Sequence, residues 1–223
     1  MKRVSVAGVF GVFFAILLAV GTATPLFAQN LAPGQDLGAP PTTEGGTFGT
    51  MASTGPQAFN TQGDAGTVEE WVGTFSGNPF GANDETFVLQ FTVSSGEIQS
   101  LSASSFTGFS VNVGQNQLCS FCLVTSGTNH ATDASRSSSG SVVKFFFGTG
   151  VTAGQSSYAV IINTNANAFN AAGSMSVQDG GAQGFNAFQP TTVPEPGTFG
   201  MLGSGLLSLA GLARKIAGAS LLG

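Results

Sequence analysis

In Thr86-Phe87-Val88-Leu89-Gln90-Phe91-Thr92-Val93 the odd positions are Phe, Leu, Phe and Val, while Thr86, Gln90 and Thr92 point the other way. A period of two along the chain marks a strand with one apolar face, and no helix can satisfy it. The pattern recurs. Phe109, Val111 and Val113 alternate with Ser110 and Asn112, Val143, Phe145 and Phe147 alternate around Lys144, and Tyr158, Val160 and Ile162 share one face. Val68–Phe75, Glu97–Ala103, Leu118–Thr125 and Ser174–Gln178 are further strand candidates. Gly/Ser clusters such as Ser94-Ser95-Gly96 and Gly148-Thr149-Gly150 read as the turns between them. About eight short strands at this spacing predict a single all-β domain, a β-sandwich or jelly roll, over residues 67–179. Eleven of the 20 Phe lie between residues 68 and 170. At about 1.5–3 kcal/mol per buried Phe, they can fill one core without a disulfide scaffold.

The flanks differ in composition. Residues 29–66 are rich in Pro, Gly, Thr, Ala and Gln without sustained periodicity, and residues 180–192 resemble them, so both read as linkers. Outside them lie two apolar segments. At the start, Lys2-Arg3 precede an apolar run from Val4 to Val20, then Pro25 and Ala28, the order of a secretory signal in residues 1–28. The best cleavage point is Ala28|Gln29, with the Sec translocon and signal peptidase as partners; an uncleaved membrane anchor is the alternative. At the far end, Gly197 to Ala213 carries no charge and is closed by Arg214-Lys215. In water its glycines would make a poor helix, but in lipid unpaired backbone groups cost more than glycine entropy, so a transmembrane helix is expected. Arg214 and Lys215 would stay cytoplasmic, with residues 216–223 as a short tail.

Immediately before that helix stands Val193-Pro194-Glu195-Pro196-Gly197, which two prolines keep extended. This strip, the Gly/Leu-rich helix and the basic stop Arg214-Lys215, taken together over residues 193–215, resemble the PEP-CTERM sorting signal. The resemblance implies a protein exported by a Gram-negative bacterium and held in the inner membrane as a precursor. It also implies recognition by exosortase, an integral-membrane cysteine peptidase processing near Pro-Glu-Pro, in hosts that usually make exopolysaccharide. A plain C-terminal membrane anchor is the alternative reading of the same segment.

Chemistry inside the domain is sparse. Only 8% of residues are charged, and residues 29–196 set Arg136 and Lys144 against eleven acids, a formal balance of −9. That charge favours solubility and excludes a nucleic-acid partner. Cys119 and Cys122 read as a local disulfide or as two unpaired core cysteines; a regular strand would put them on opposite faces, so a bond needs a turn or bulge. A zinc site would need further Cys or His ligands, and no metal or other cofactor is expected. His130, the only histidine, lies near Asp133, Ser135 and Arg136 in a polar loop, and it reads as a solvated side chain rather than part of a Ser/His/Asp set. Glu69, Glu70, Asp84, Glu85 and Glu97 could supply a glycosidase pair only if two of them oppose each other at about 5–9 Å. Asn83-Asp84-Glu85 could also serve a calcium loop, although the spacing of one is missing. Trp71 and Tyr158 are the only aromatics besides Phe, hence the candidates for stacking on a sugar. No catalytic residues are assigned. The expectation is a non-enzymatic envelope or extracellular-matrix protein, with an exopolysaccharide- or carbohydrate-binding module and a secreted glycoside hydrolase as alternatives.

Overall fold

The structure, a computed structural model, describes residues 29–42 and 45–192. Among these the chain is all-β, with no helix. The strands are β1 (Gln29–Asn30), β2 (Phe48–Ser53), β3 (Gln57–Thr61), β4 (Asp64–Phe75), β5 (Glu85–Ser95) and β6 (Glu97–Ala103). They continue as β7 (Val111–Asn116), β8 (Asp133–Arg136), β9 (Val143–Thr152), β10 (Ala159–Thr164), β11 (Ala168–Asp179) and β12 (Gly181–Thr191). A seven-stranded sheet has the order β1-β7-β10-β5-β4-β2, with β3 also paired to β4, and a five-stranded sheet has the order β12-β11-β6-β9-β8. The chain alternates between them: β5, β7 and β10 lie in the first sheet, β6, β9 and β11 in the second.

Alternation explains the packing. Phe87, Leu89, Phe91 and Val93 all enter one core with Val68, Val72 and Ile162 of the first sheet and Leu101, Phe145, Phe147 and Val177 of the second. Phe91 meets Phe147 edge-on at 5.1 Å and Phe87 meets Phe106 at 5.4 Å, the T-shaped geometry that ring quadrupoles favour. The two sheets therefore share one sandwich-like interior. The outer face of the first sheet is also covered: Trp71, Val88, Ala159 and Ile161 form a second cluster with Cys119, joined by Phe48, Phe121 and Leu123.

Four expectations need correction. Residues 29–66 are not a linker: they hold β1, β2, β3 and the start of β4, and Leu31 and Phe59 are fully or nearly buried in the main core. These strands are short and lie at or near the sheet margin, so few side chains carry their burial and no long alternation develops. Residues 180–192 are not a linker either, because β12 pairs along its length with β11. Asp179-Gly180-Gly181 is the hairpin turn, with Gly180 at φ +59°, where glycine avoids the Cβ penalty. Leu118–Thr125 is a loop rather than a strand; Cys119, Phe121, Cys122 and Leu123 pack onto the outside of the first sheet instead of entering a ladder, while Leu118 stays exposed. Gly148-Thr149-Gly150 lies inside β9, where the β6–β9 register breaks between Ile98 and Ser100, so these glycines form a bulge and not a turn.

Candidate functional site

Cys119 and Cys122 are joined by a disulfide across a Cα–Cα distance of 5.4 Å. Four residues of extended strand could not bring them so close; the chain turns here. Cys119 N–H donates to Thr125 O at 2.9 Å and Gly127 N–H to Gln117 O at 2.8 Å, closing the loop on itself. Buried Gln90 ties it down, accepting from Val124 N–H at 3.0 Å and donating to Val124 O at 3.3 Å. The loop lids Trp71, whose ring lies 5.9 Å from that of Phe121 and which is only 4% exposed. Trp71 is therefore packing, not a surface platform for sugars. Tyr158 is half-buried with its ring 6.0 Å from that of His130.

The acids are spread over both sheets, Glu69, Glu70 and Glu85 in the first and Glu97 in the second. Glu69 and Glu70 are consecutive in β4 and so face opposite ways. Glu70 lies five residues along β4 from Ala65, the partner of Ser95, so at about 3.3 Å per residue it is about 16 Å from the corner carrying Glu97. Glu85 pairs with Thr74, four residues beyond Glu70 in the other direction, or about 13 Å away. No two of these three stand at the separation that glycoside hydrolysis requires. Glu69 instead accepts a hydrogen bond from the Ser53 hydroxyl, and Glu97 accepts one from Gln99 Nε2 at 3.2 Å. Nor is a histidine triad assembled: the carboxyl of Asp133 is engaged with Asp36, and burial followed by that neighbouring acid raises its pKa. Among the described residues no group of three or more His, Cys, Asp or Glu converges as a cation site would require.

Two buried charged side chains matter more than these candidates. Arg136 is 4% exposed and has no acidic partner among the described residues; its guanidinium donates to four carbonyls instead. They are Gly140 at 2.9 Å, Leu31 at 3.1 Å, Phe106 at 2.8 Å and Phe109 at 2.9 Å. It thereby pins the chain just after β1 to two loops. Glu70 is fully buried between the sheets; its Oε2 accepts the N–H of Phe188 in β12 at 2.6 Å, while buried Oε1 has no partner. Desolvation pushes its pKa up to about 8, against a smaller lowering by the Phe188 N–H. Composition reads a glutamate as surface, yet Glu70 stands in phase with Val68 and Val72, and that phase was the signal to find it.

Both strands at the ends of the described chain adjoin a predicted sorting element. Gln29, the first residue after the expected cleavage point, pairs in β1 with Val113 of β7, and β12 ends at Thr191. The family model of the PEP-CTERM protein-sorting motif matches residues 192–215. The chain carries a PEP-CTERM signal. That span contains Val193 to Gly197 and the basic pair Arg214-Lys215. The PEP-CTERM signal implies processing by exosortase and an exported, membrane-passing precursor in Gram-negative bacteria. Within this PEP-CTERM chain Ala28, the expected signal and transmembrane helices, Pro194-Glu195-Pro196 and Arg214-Lys215 lie outside the described residues. No curated protein and no solved structure matches the chain.

Proposed function

We propose that this is a non-enzymatic protein of the cell surface or extracellular matrix, delivered there by its two terminal signals. Signal peptidase cuts at Ala28|Gln29 after Sec export. The C-terminal helix holds the precursor in the inner membrane, and exosortase acts near Pro194-Glu195-Pro196 and frees the β domain. The observation that carries the reading is the PEP-CTERM match at residues 192–215, set directly behind a folded all-β domain. The disulfide between Cys119 and Cys122 supports it, since such bonds persist in oxidising compartments outside the cytoplasm. In this reading the fold is of the jelly-roll kind, a view supported by the alternation of β5, β6 and β7, and of β9, β10 and β11, between the two sheets.

A hydrolase gains no support from Glu70, Glu85 and Glu97, which lie too far apart to flank one sugar bond. Of the two aromatics named for stacking on exopolysaccharide only Tyr158 keeps exposed surface, since Trp71 is covered.

Blotting and fractionation of the native host test the proposal. Glu195→Ala, or neutral residues in place of Arg214 and Lys215, are expected to shift the ratio of precursor to product, and the product is expected outside the inner membrane. An unchanged band pattern would leave the segment a simple anchor, and full-length protein in the cytoplasm would end the proposal.

A further inference from the structure

Only Thr192 and Val193 separate the end of β12 from Pro194. At about 3.6 Å per residue at most, the three steps from Thr191 keep Pro194 within about 11 Å of the strand. A peptidase that binds its substrate as an added strand needs extended chain on both sides of the bond it cuts. Here part of the stretch on the N-terminal side is already built into a sheet.

The β11–β12 ladder is not uniform. Seven residues from Gly181 pair regularly up to Gly173↔Ala187, and then the register breaks between Asn170 and Gly173. Beyond the break only three pairs remain: Asn170↔Gln189, Phe169↔Pro190 and Ala168↔Thr191. One of the three uses Pro190, which has no N–H to give. The residue before this weak end is held in several ways. Phe188 N–H donates to buried Glu70 across the sandwich, its ring packs edge-on against Phe169 at 5.2 Å, and its neighbour Ala187 is 1% exposed in the core. Its backbone also lies against Gly173 so closely that a Cβ there would overlap the Phe188 carbonyl.

We propose that Phe188 is a fixed hinge from which Gln189–Thr191 peel off β11, so that the domain stays folded while its last residues enter the processing enzyme. This rests on the reading that exosortase cuts near Pro194-Glu195-Pro196 and adds how the cut is controlled: processing requires the end of β12 to open, and Glu70 stops the opening at Phe188. Three pairs, one of them lacking a donor, belong to the low-stability part of a fold; the ladder behind them does not.

The test locks the end of the ladder in the full-length chain. Ala168→Cys with Thr191→Cys places two thiols on facing Cα positions, within reach of a disulfide; a non-reducing gel confirms closure. In the host, the locked chain is expected to accumulate precursor about tenfold or more over wild type, while either single substitution processes normally. A Gly/Ser spacer of about eight residues between Thr191 and Thr192 is expected to restore processing of the locked chain. A locked chain cut at the wild-type rate overturns the hinge alone, as does one that stays uncut even with the spacer. If the wild-type chain itself is cut identically with and without Glu195→Ala, the exosortase reading fails, and the hinge falls with it.

Discussion

Glu70 gives the sharpest quantitative prediction. Its carboxyl is buried with one oxygen on Phe188 N–H and the other without a partner, and its pKa rises from 4.5 to about 8. The fold therefore favours the neutral acid. With a raised folded pKa, the contribution is fully present below the unfolded value and declines as pH rises through the window from 4.5 to about 8. Over those units, at 1.36 kcal/mol each, the total decline is about 5 kcal/mol, of which about 4 kcal/mol falls between pH 5 and pH 9. That is a large part of the roughly 5–15 kcal/mol that holds a typical domain together. Glu70→Gln cannot ionise and keeps an oxygen for Phe188 N–H, although its buried amide N–H groups cost about 1–3 kcal/mol if unpaired. Urea unfolding at pH 5, 7 and 9 separates these terms. Wild type should lose stability steeply with pH, Glu70→Gln should be much flatter, and the two curves should cross between about pH 5 and about pH 7, leaving Glu70→Gln the more stable at pH 9. Asp133, Glu85 and Asp179 also have raised pKa values and add a fall common to both proteins, so the difference between the curves isolates Glu70. Parallel curves would refute the assignment of Glu70 as a buried neutral acid.

Arg136→Met should cost about 3 kcal/mol or more in urea unfolding, because it strips four buried or partly buried carbonyls of a charged donor; a loss under 1 kcal/mol, about the size of a surface change, would contradict that role. Replacing Cys119 and Cys122 together by Ser should lower stability by about 2 kcal/mol on loop-entropy grounds. It should also shift the emission of Trp71, the only Trp, to the red as the lid loosens. Unchanged emission would mean that the loop stays down without its bond.

What could be read in advance follows from where burial is concentrated. β5 was legible because Phe87, Leu89, Phe91 and Val93 carry its burial in a clean alternation, and β6 because Ile98, Leu101 and Ala103 supply its apolar side on either side of a register shift. β12 was not, since its exposed and half-buried positions alternate among Gly, Ala, Gln and Asn, with Phe185 and Ala187 the main apolar clues. The apolar run Leu118–Thr125 misled in the opposite sense: it looks like a strand because it covers one, reaching Trp71 and Ile161 from outside. Arg136 and Glu70 were hidden by their charge, as only a three-dimensional shell of carbonyls or a strand from the other sheet makes burial of either intelligible. The sorting segment needed no such context, being written in consecutive residues.

The bond from Arg136 to Leu31 spans 105 positions of the chain. A polypeptide that crosses a bilayer N-terminus first delivers Leu31 early and its guanidinium anchor much later, so the earliest arrivals must wait, unpaired, for more than half of the body to follow. Such distant pairings make folding slow. The finishing piece is β12, which docks by a local hairpin, so completion of the fold and arrival of the segment to be cut are nearly simultaneous events.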